Sequence, residues 1–240
     1  MRDISKKKTA IVTGASSGIG RAIAGKLVAM GYEVYGIGRT FSDETSMKEG
    51  FHPVICDLRN TKELLSAVRE IVKIRDTELK VLVNNAGAAY YGLHETLDPE
   101  KIQEMVRVNL EVPLVLTQQL LKYIRENKGN IINISSVTAV SSSPHGACYG
   151  ATKAGLMSFG RSLFDEVRKH GVRVTTILPD MTDTALYRNA DFEADDADDA
   201  HLDPMDVADA VGYILGMRGG VSVPEIMLRP QIHRIKKKKN

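Results

Sequence analysis

The stretch Thr13-Gly14-Ala15-Ser16-Ser17-Gly18-Ile19-Gly20 decides the fold, because it joins a short apolar segment, residues 9–13, to an amphipathic stretch, residues 18–30. Glycine allows a sharp turn and lets the backbone approach a ligand with no Cβ in the way. The free N–H groups and the positive dipole end of the following helix suit a pyrophosphate. This strand, turn and helix therefore predict a phosphate-binding loop.

The rest of the chain continues this alternation of short β-branched segments with longer helical patterns, which indicates βαβ units and a parallel sheet. Further strands are predicted at residues 33–38, 54–55, 81–83, 130–135, 172–178 and 226–228, and helices at residues 61–74, 98–127, 149–170 and 202–217. Pro113 is expected to kink or split the helix that contains it. The pattern predicts an α/β fold: a single doubly wound Rossmann-type domain over residues 1–240, with a parallel sheet of about seven strands.

Composition excludes several classes of protein. The chain has 240 residues and a net charge of +2, so it lacks the basic excess typical of nucleic-acid binding. It has two cysteines, no metal-ligand spacing and no apolar run near the ~18 residues of a membrane span. With no secretory signal pattern at its start, the sequence predicts a cytoplasmic protein with no metal, nucleic-acid or membrane partner. The basic runs at about residues 1–7 and 234–240 are predicted to be solvated tails.

An acidic segment between the sixth strand and the next helix fits neither a strand nor a helix pattern. Residues 191–203 carry seven carboxylates and few apolar anchors. Open α/β sheets place such loops above the ligand crevice. The segment is either part of a mobile lid, at about residues 184–203, or a merely solvated loop.

The end of the second strand bears on the choice of dinucleotide, because it should meet the adenosine ribose. An acidic residue there would accept hydrogen bonds from a 2′-hydroxyl and repel a 2′-phosphate. Here the strand is followed by Arg39, and no acid occurs before Asp43. Arginine offers a planar fork of donors suited to phosphate. The sequence therefore favours NADP(H), with NAD(H) as the weaker alternative.

Three residues form a candidate catalytic group. Tyr149 and Lys153 lie four residues apart, on one face of a predicted helix. A free phenol, with a pKa of about 10, shuttles protons poorly near neutrality. A neighbouring cation favours the phenolate. Ser136 stands at the end of the fifth strand, where its hydroxyl could hold a substrate carbonyl beside Tyr149.

With these residues in place, the sequence resembles the short-chain dehydrogenase/reductase family over roughly residues 8–228. The matching motifs are Thr13 to Gly20, Asn84-Asn85-Ala86-Gly87, Asn109, Ser136, Tyr149 with Lys153, and Asp57 followed by Leu58. The tail is closer to members resembling 3-hydroxy-acid dehydrogenases and sepiapterin-type reductases than to the acyl-carrier-protein ketoreductases of the family.

The resemblance implies roles for these residues. Tyr149 is the general acid in reduction and the base in oxidation, and Ser136 orients and polarises the carbonyl. Lys153 lowers the pKa of Tyr149 and binds the nicotinamide ribose, while Asn109 supports a water chain for proton relay. The residues predicted to bind the cofactor are Gly14, Ser16, Ser17, Gly18, Ile19, Gly20, Arg39, Asp57, Leu58, Asn85, Ala86, Gly87, Tyr149, Lys153, Pro179, Thr182 and Thr184.

Other residues near the site have more than one interpretation. The family's Pro-Gly after the sixth strand is Pro179-Asp180 here, which adds a charge and a Cβ beside the nicotinamide. Tyr90 and Tyr91 are either pocket walls or ordinary packing. Cys148 is either a packed small hydrophobe or a reactive thiol. His145 is either a loop residue or a second acid–base group.

The prediction is an NADP(H)-dependent oxidoreductase that reduces a carbonyl or oxidises a secondary alcohol by a Ser-Tyr-Lys-Asn mechanism. A 3-oxoacyl-carrier-protein reductase is one alternative, and a regulator that senses NADP(H) without turnover is the other. The expected partner is a small-molecule carbonyl or alcohol. The resemblance also implies a homo-oligomer, either a tetramer or a dimer.

Overall fold

A computed structural model of the chain describes residues 6–42, 49–74, 77–232 and 234–238. Its strands are β1 Lys7–Thr13, β2 Glu33–Gly38, β3 Phe51–Ile55, β4 Thr77–Asn84, β5 Asn130–Ile134, β6 Arg173–Pro179, β7 Phe192–Ala194, β8 Glu225–Leu228 and β9 Ile235–Lys237. Its α-helices are α1 Gly18–Ala29, α2 Thr61–Val72, α3 Pro99–Val106, α4 Val112–Glu126, α5 Ala147–Val167 and α6 Pro204–Gly216. No helix within the described ranges combines the length and the apolar character needed to cross a membrane.

Seven of the strands form one sheet in the order β3-β2-β1-β4-β5-β6-β8, and every neighbouring pair is parallel. The predicted doubly wound α/β fold is therefore confirmed. Successive side chains of β1 alternate between the two faces: Ala10 and Val12 pack in the core layer with α1 and α6, and Ile11 packs in the layer with α2, α4 and α5. The strand order reverses between β1 and β4, which is where open α/β sheets bind ligands.

Two strands, β3 and β4, are longer than the sequence predicts by three residues or more. β3 begins at Phe51 and includes Pro53. Proline is tolerated there because β3 is an edge strand, where a residue without an N–H need not break a hydrogen bond between strands. β4 begins at Thr77, and its polar residues before Val81 pair with the start of β1. The sequence prediction relied on apolar runs, so it missed the parts of these strands that contain polar residues or proline.

The predicted helix over residues 98–127 is split, as Pro113 suggests, but the break lies before the proline. Residues Arg107–Glu111 form a π-helical turn, and the Val112 N–H bonds to the Arg107 carbonyl five residues earlier. An α-helical N–H at position 113 would bond the Asn109 carbonyl, and proline has none. The wider turn contains Asn109, which is fully buried. Such turns recur at functional sites.

The acidic segment and the basic C-terminal segment pair with each other. Strands β7 and β9 are antiparallel, with Phe192 opposite Lys237, Glu193 opposite Lys236 and Ala194 opposite Ile235. Residues 235–237 of the predicted solvated tail at residues 234–240 thus form a strand, and their side chains remain largely exposed. Of the predicted tail at residues 1–7, Lys7 begins β1 and bonds to Glu33 at 2.5 Å, while residues 1–5 lie outside the described ranges.

Candidate active site

A cleft runs along the carboxyl ends of β1, β2, β4, β5 and β6. All the residues predicted to bind the cofactor line it, together with Ser136, Tyr149 and Lys153. Asn109 is the one predicted residue that does not line the cleft, since it lies buried behind it. Residues that are distant in sequence thus meet in one place because parallel strands bring their carboxyl ends to the same edge of the sheet.

The glycine loop is shaped by contacts that tolerate no larger side chain. Gly14 has a φ of +67°, in the left-handed region that favours glycine. A Cβ on Gly20 would lie 2.2 Å from the Gly14 carbonyl oxygen. The loop is also fixed to the end of β4, because the Thr13 hydroxyl accepts hydrogen bonds of 3.0 Å from the N–H groups of both Asn85 and Ala86.

The N-terminus of α1 faces this loop with its first N–H groups available. The side chain of its N-cap residue, Ser17, makes no capping hydrogen bond, and the first turn holds no acidic residue. The positive end of the helix dipole therefore points into the cleft with no carboxylate of its own helix against it. This arrangement suits an anionic group of a ligand.

The far end of the cleft carries two arginines around one carboxylate. Arg59 binds Asp57 through two nitrogens, at 2.7 Å to Oδ2 and 3.0 Å to Oδ1. These hydrogen bonds from Arg59, more than the nearby charge of Arg39, lower the pKa of Asp57. Glu104 approaches Arg59 at 3.7 Å. Arg39 is exposed and makes no ion pair among the described residues, so its guanidinium is available to a ligand.

The candidate catalytic side chains meet at the other end of the cleft. Tyr149 and Lys153 lie one turn apart on α5, and both are buried, with 4% and 3% of their surfaces exposed. The Lys153 Nζ lies 5.6 Å from the centre of the Tyr149 ring and donates a 2.8 Å hydrogen bond to the Ile134 carbonyl. Ser136 follows β5 and lines the same end of the cleft as Tyr149.

Burial changes the acidity of this pair. It raises the pKa of Tyr149, and the hydrogen bond with Ser136 opposes part of that rise. Burial lowers the pKa of Lys153 to about 8, so that the ammonium form still prevails at neutral pH. The group therefore holds a neutral phenol and a cation side by side.

Asn109 connects two parts of the site from behind. Its Oδ1 accepts a 2.8 Å bond from the Ala88 N–H, and its Nδ2 donates to the Ala88 carbonyl at 2.9 Å and to the Thr152 hydroxyl at 3.0 Å. A Cβ on Gly87 would lie 3.6 Å from Asn109 Oδ1 and 3.7 Å from Lys153 Nζ. Asn109 thus fixes the segment after β4 against α5, next to the Lys153 ammonium.

The segment after β6 forms the third wall of the cleft. Asp180 stands where the family has glycine, and its carboxylate accepts a 2.8 Å hydrogen bond from the N–H of the next residue, Met181. Thr184 caps the short helical turn Ala185–Asn189, and its methyl group would lie 3.1 Å from a Cβ on Gly18. The predicted lid therefore begins in direct contact with the glycine loop.

Sequence reasoning missed some residues and left others open. Arg59 and Tyr187 line the cleft, and Arg59 could have been found from its position two residues after Asp57. Tyr91 does not line the cleft but packs behind it, with its ring centre 5.9 Å from that of Tyr149, which favours the packing interpretation. Burial raises the pKa of Cys148, which favours packing over reactivity. His145 is exposed and does not line the cleft.

Comparison with known proteins gives a consistent result. The sequence profile of the short chain dehydrogenase family matches residues 8–194. An uncharacterized oxidoreductase of Staphylococcus epidermidis is 33% identical over 236 residues, which cover 94% of this chain and 98% of the relative.

Two solved structures share the architecture. An alcohol dehydrogenase from the archaeon Thermococcus sibiricus, complexed with 5-hydroxy-NADP, is similar with a TM-score of 0.85 and 26% identity, over 95% of this chain and 99% of that one. A 3-ketoacyl-(acyl-carrier-protein) reductase from Brucella melitensis, complexed with NADH, has a TM-score of 0.83 and covers the same shares of the two chains. Its identity of 23% supports the fold alone.

Proposed function

This chain belongs to the short-chain dehydrogenase family of oxidoreductases, and on that premise we propose that it reduces a carbonyl compound, or oxidises the corresponding secondary alcohol, with NADP(H). The observation that carries the proposal is the buried group of Ser136, Tyr149 and Lys153 at one end of the glycine-loop cleft. A phenol, a hydroxyl and an ammonium that converge on one point suit proton transfer to a carbonyl oxygen.

The residues present fit a dinucleotide. Gly14 and Gly20 leave a cradle that a Cβ would fill, and the uncapped N-terminus of α1 faces it. Ser16, Ser17, Gly18 and Ile19 would hold the pyrophosphate, and Asn85, Ala86 and Gly87 would hold the ribose groups. When bound, the nicotinamide supplies or accepts the hydride at the carbonyl carbon.

The chain's own residues supply the proton chemistry. The Tyr149 hydroxyl donates its proton to the carbonyl oxygen in reduction and takes it back in oxidation. The Ser136 hydroxyl donates a hydrogen bond to the same oxygen and so fixes its position. Lys153, a cation at neutral pH, stabilises the phenolate that Tyr149 becomes. Asn109 keeps the Ala88 segment and α5 in register behind Lys153.

The preference for NADP(H) is supported by Arg39, an exposed arginine at the end of β2 that lines the adenosine end of the cleft. A charge-assisted hydrogen bond to a 2′-phosphate contributes about 1.5–3 kcal/mol, or about 10- to 150-fold in affinity. Asp57 does not offset this charge, because Arg59 already neutralises it. The alcohol dehydrogenase from T. sibiricus, which was solved with an NADP derivative, supports the same choice.

The test is a panel of aldehydes and ketones assayed with NADPH and with NADH, on the wild type, Arg39→Ala and Arg125→Ala. Arg125 is the matched control, since it is exposed on α4 and does not line the cleft. We expect Arg39→Ala to weaken NADPH binding by about tenfold or more, with NADH binding unchanged. Binding of NADPH with no turnover of any carbonyl or alcohol would instead indicate the regulatory alternative.

A further inference from the structure

The ribbon of β7 and β9 joins the acidic segment to the basic C-terminal segment. Lys236 on β9 lies 2.6 Å from Asp196 and 4.0 Å from Glu193, and Arg234 lies 3.0 Å from Asp195. The Lys238 N–H bonds to the Asp191 carbonyl at 2.9 Å. Opposite charges thus specify this pairing between segments about forty residues apart in the chain.

The ribbon carries an aromatic side chain to the substrate side of the site. The ring of Phe192, on β7, lies 5.0 Å from that of Tyr91 and 5.6 Å from that of Tyr187. Tyr91 in turn contacts the ring of the catalytic Tyr149 at 5.9 Å. Tyr149 and Tyr187 line the cleft, and the rings of Tyr91 and Phe192 pack against them, so the cluster of these four rings forms and supports the wall of the cleft next to the Tyr149 hydroxyl.

The cluster presents an uncharged wall. Burial raises the pKa of Tyr91 and raises that of Tyr187 to about 12, so both phenols are neutral at physiological pH. Offset and edge contacts of this kind leave ring faces that pack well against apolar or flat groups.

The position of Phe192 depends on β9. Among the described strands, β7 pairs with β9 alone and is separate from the main sheet. A two-stranded ribbon is marginally stable by itself. Its ion pairs involve exposed side chains, such as Asp196 at 82% exposure, and contribute little each. The ribbon can therefore open without unfolding the domain.

We propose that β9 is a specificity element: by pairing with β7 it holds Phe192 against Tyr91 and Tyr187, and so restricts the site to carbonyl compounds with small or flat apolar substituents. The inference rests on the proposed reductase function. Larger substituents reach Tyr149 only when the ribbon opens, so the strength of the β7–β9 pairing sets the balance between small and large substrates.

The test compares Phe192→Ala, Lys236→Glu, the double variant Asp196→Lys with Lys236→Glu, and Lys122→Glu. Lys122 is the matched control, because it undergoes the same charge change, is exposed on α4 away from the ribbon and makes no ion pair within the described ranges. The readouts are kcat/KM for ketones of increasing size at saturating NADPH, and hydrogen exchange of the amides in residues 187–196.

We expect Phe192→Ala to raise the large-to-small ratio of kcat/KM by about tenfold, within the range that pocket size alone supplies. Lys236→Glu should raise the same ratio and speed exchange in residues 187–196, and Asp196→Lys in that background should reverse both effects. Lys122→Glu should change neither.

Two results would overturn the inference: an unchanged ratio in Phe192→Ala, or equal effects of Lys236→Glu and Lys122→Glu. If the wild type turned over no carbonyl, the proposed function would fail instead. Hydrogen exchange would still test the pairing in that case, because equal exchange in wild type and Lys236→Glu refutes the role of β9.

Discussion

The Thr13 hydroxyl offers the sharpest test of how the glycine loop is held. It accepts hydrogen bonds from two backbone N–H groups, those of Asn85 and Ala86, at 3.0 Å each, and the side chain is 2% exposed. Thr13→Val keeps the shape of the side chain and removes the acceptor. An N–H left without its partner costs about 1–3 kcal/mol. Both N–H groups are half-buried, so water compensates in part and each loss falls in the lower part of that range. For the two N–H groups together we expect a loss of stability of about 2–3 kcal/mol.

A loss of this size lowers the melting temperature by about 4–12 °C in a domain of this length. Thermal unfolding of the ligand-free protein measures it directly. Thr13→Ser is the control, since it keeps the hydroxyl and loses one methyl group, which costs about 0.8 kcal/mol. Equal destabilisation by the two variants, or none by Thr13→Val, would refute the view that this hydroxyl joins β1 to the end of β4.

Further predictions concern three other parts of the site. Gly20→Ala should abolish NADP+ binding in a fluorescence titration, because its Cβ would lie 2.2 Å from the Gly14 carbonyl oxygen; unchanged affinity would contradict the cradle. Lys153 has a folded pKa lowered from 10.5 to about 8, so between these pH values the unfolded state binds more protons and stability rises with pH. The free energy of unfolding of the wild type relative to Lys153→Met should therefore increase by about 3 kcal/mol from pH 8 to 10.5, as measured by urea unfolding. Asn109→Ala should leave NADP+ binding within a few-fold and lower kcat, and an unchanged kcat would exclude its positioning of Lys153.

The order and type of the main elements could be predicted because each one carries its own periodic signal. Apolar runs mark β1, β5 and β6, and buried strands of a parallel sheet read in this way. Parallel topology then brings Gly14, Ser136 and Tyr149 to one cleft without any knowledge of their side-chain conformations. The cleft could therefore be assembled from motifs alone.

The β7–β9 ribbon could not be predicted, for a physical reason. Phe192 is a single apolar residue between acids, and Ile235 is a single one among bases, so neither strand shows an alternating pattern. The two strands are about forty residues apart in the chain and carry opposite charges. A prediction based on short stretches of sequence does not detect a pairing between such distant segments. The same holds for Tyr91, whose contact with Tyr149 brings the segment after β4 against α5 across more than fifty residues of chain.

The turn at Arg107–Glu111 shows a partial success. Pro113 correctly indicated a break, and the missing N–H explains it. The break lies at Arg107–Glu111, around Asn109, whose side chain bonds to Ala88 and Thr152. Those partners lie on other elements, so the sequence of the helix alone could not locate the turn.

The most direct test of the central claim is the turnover of Tyr149→Phe, measured together with its affinity for NADPH on the same sample. Removing the phenolic proton donor should lower kcat by about 10²- to 10⁴-fold, the usual contribution of a general acid. The dissociation constant for NADPH should stay within a few-fold of the wild type, because the ring and Lys153 remain. Turnover close to that of the wild type would contradict the assignment of Tyr149 as the proton donor.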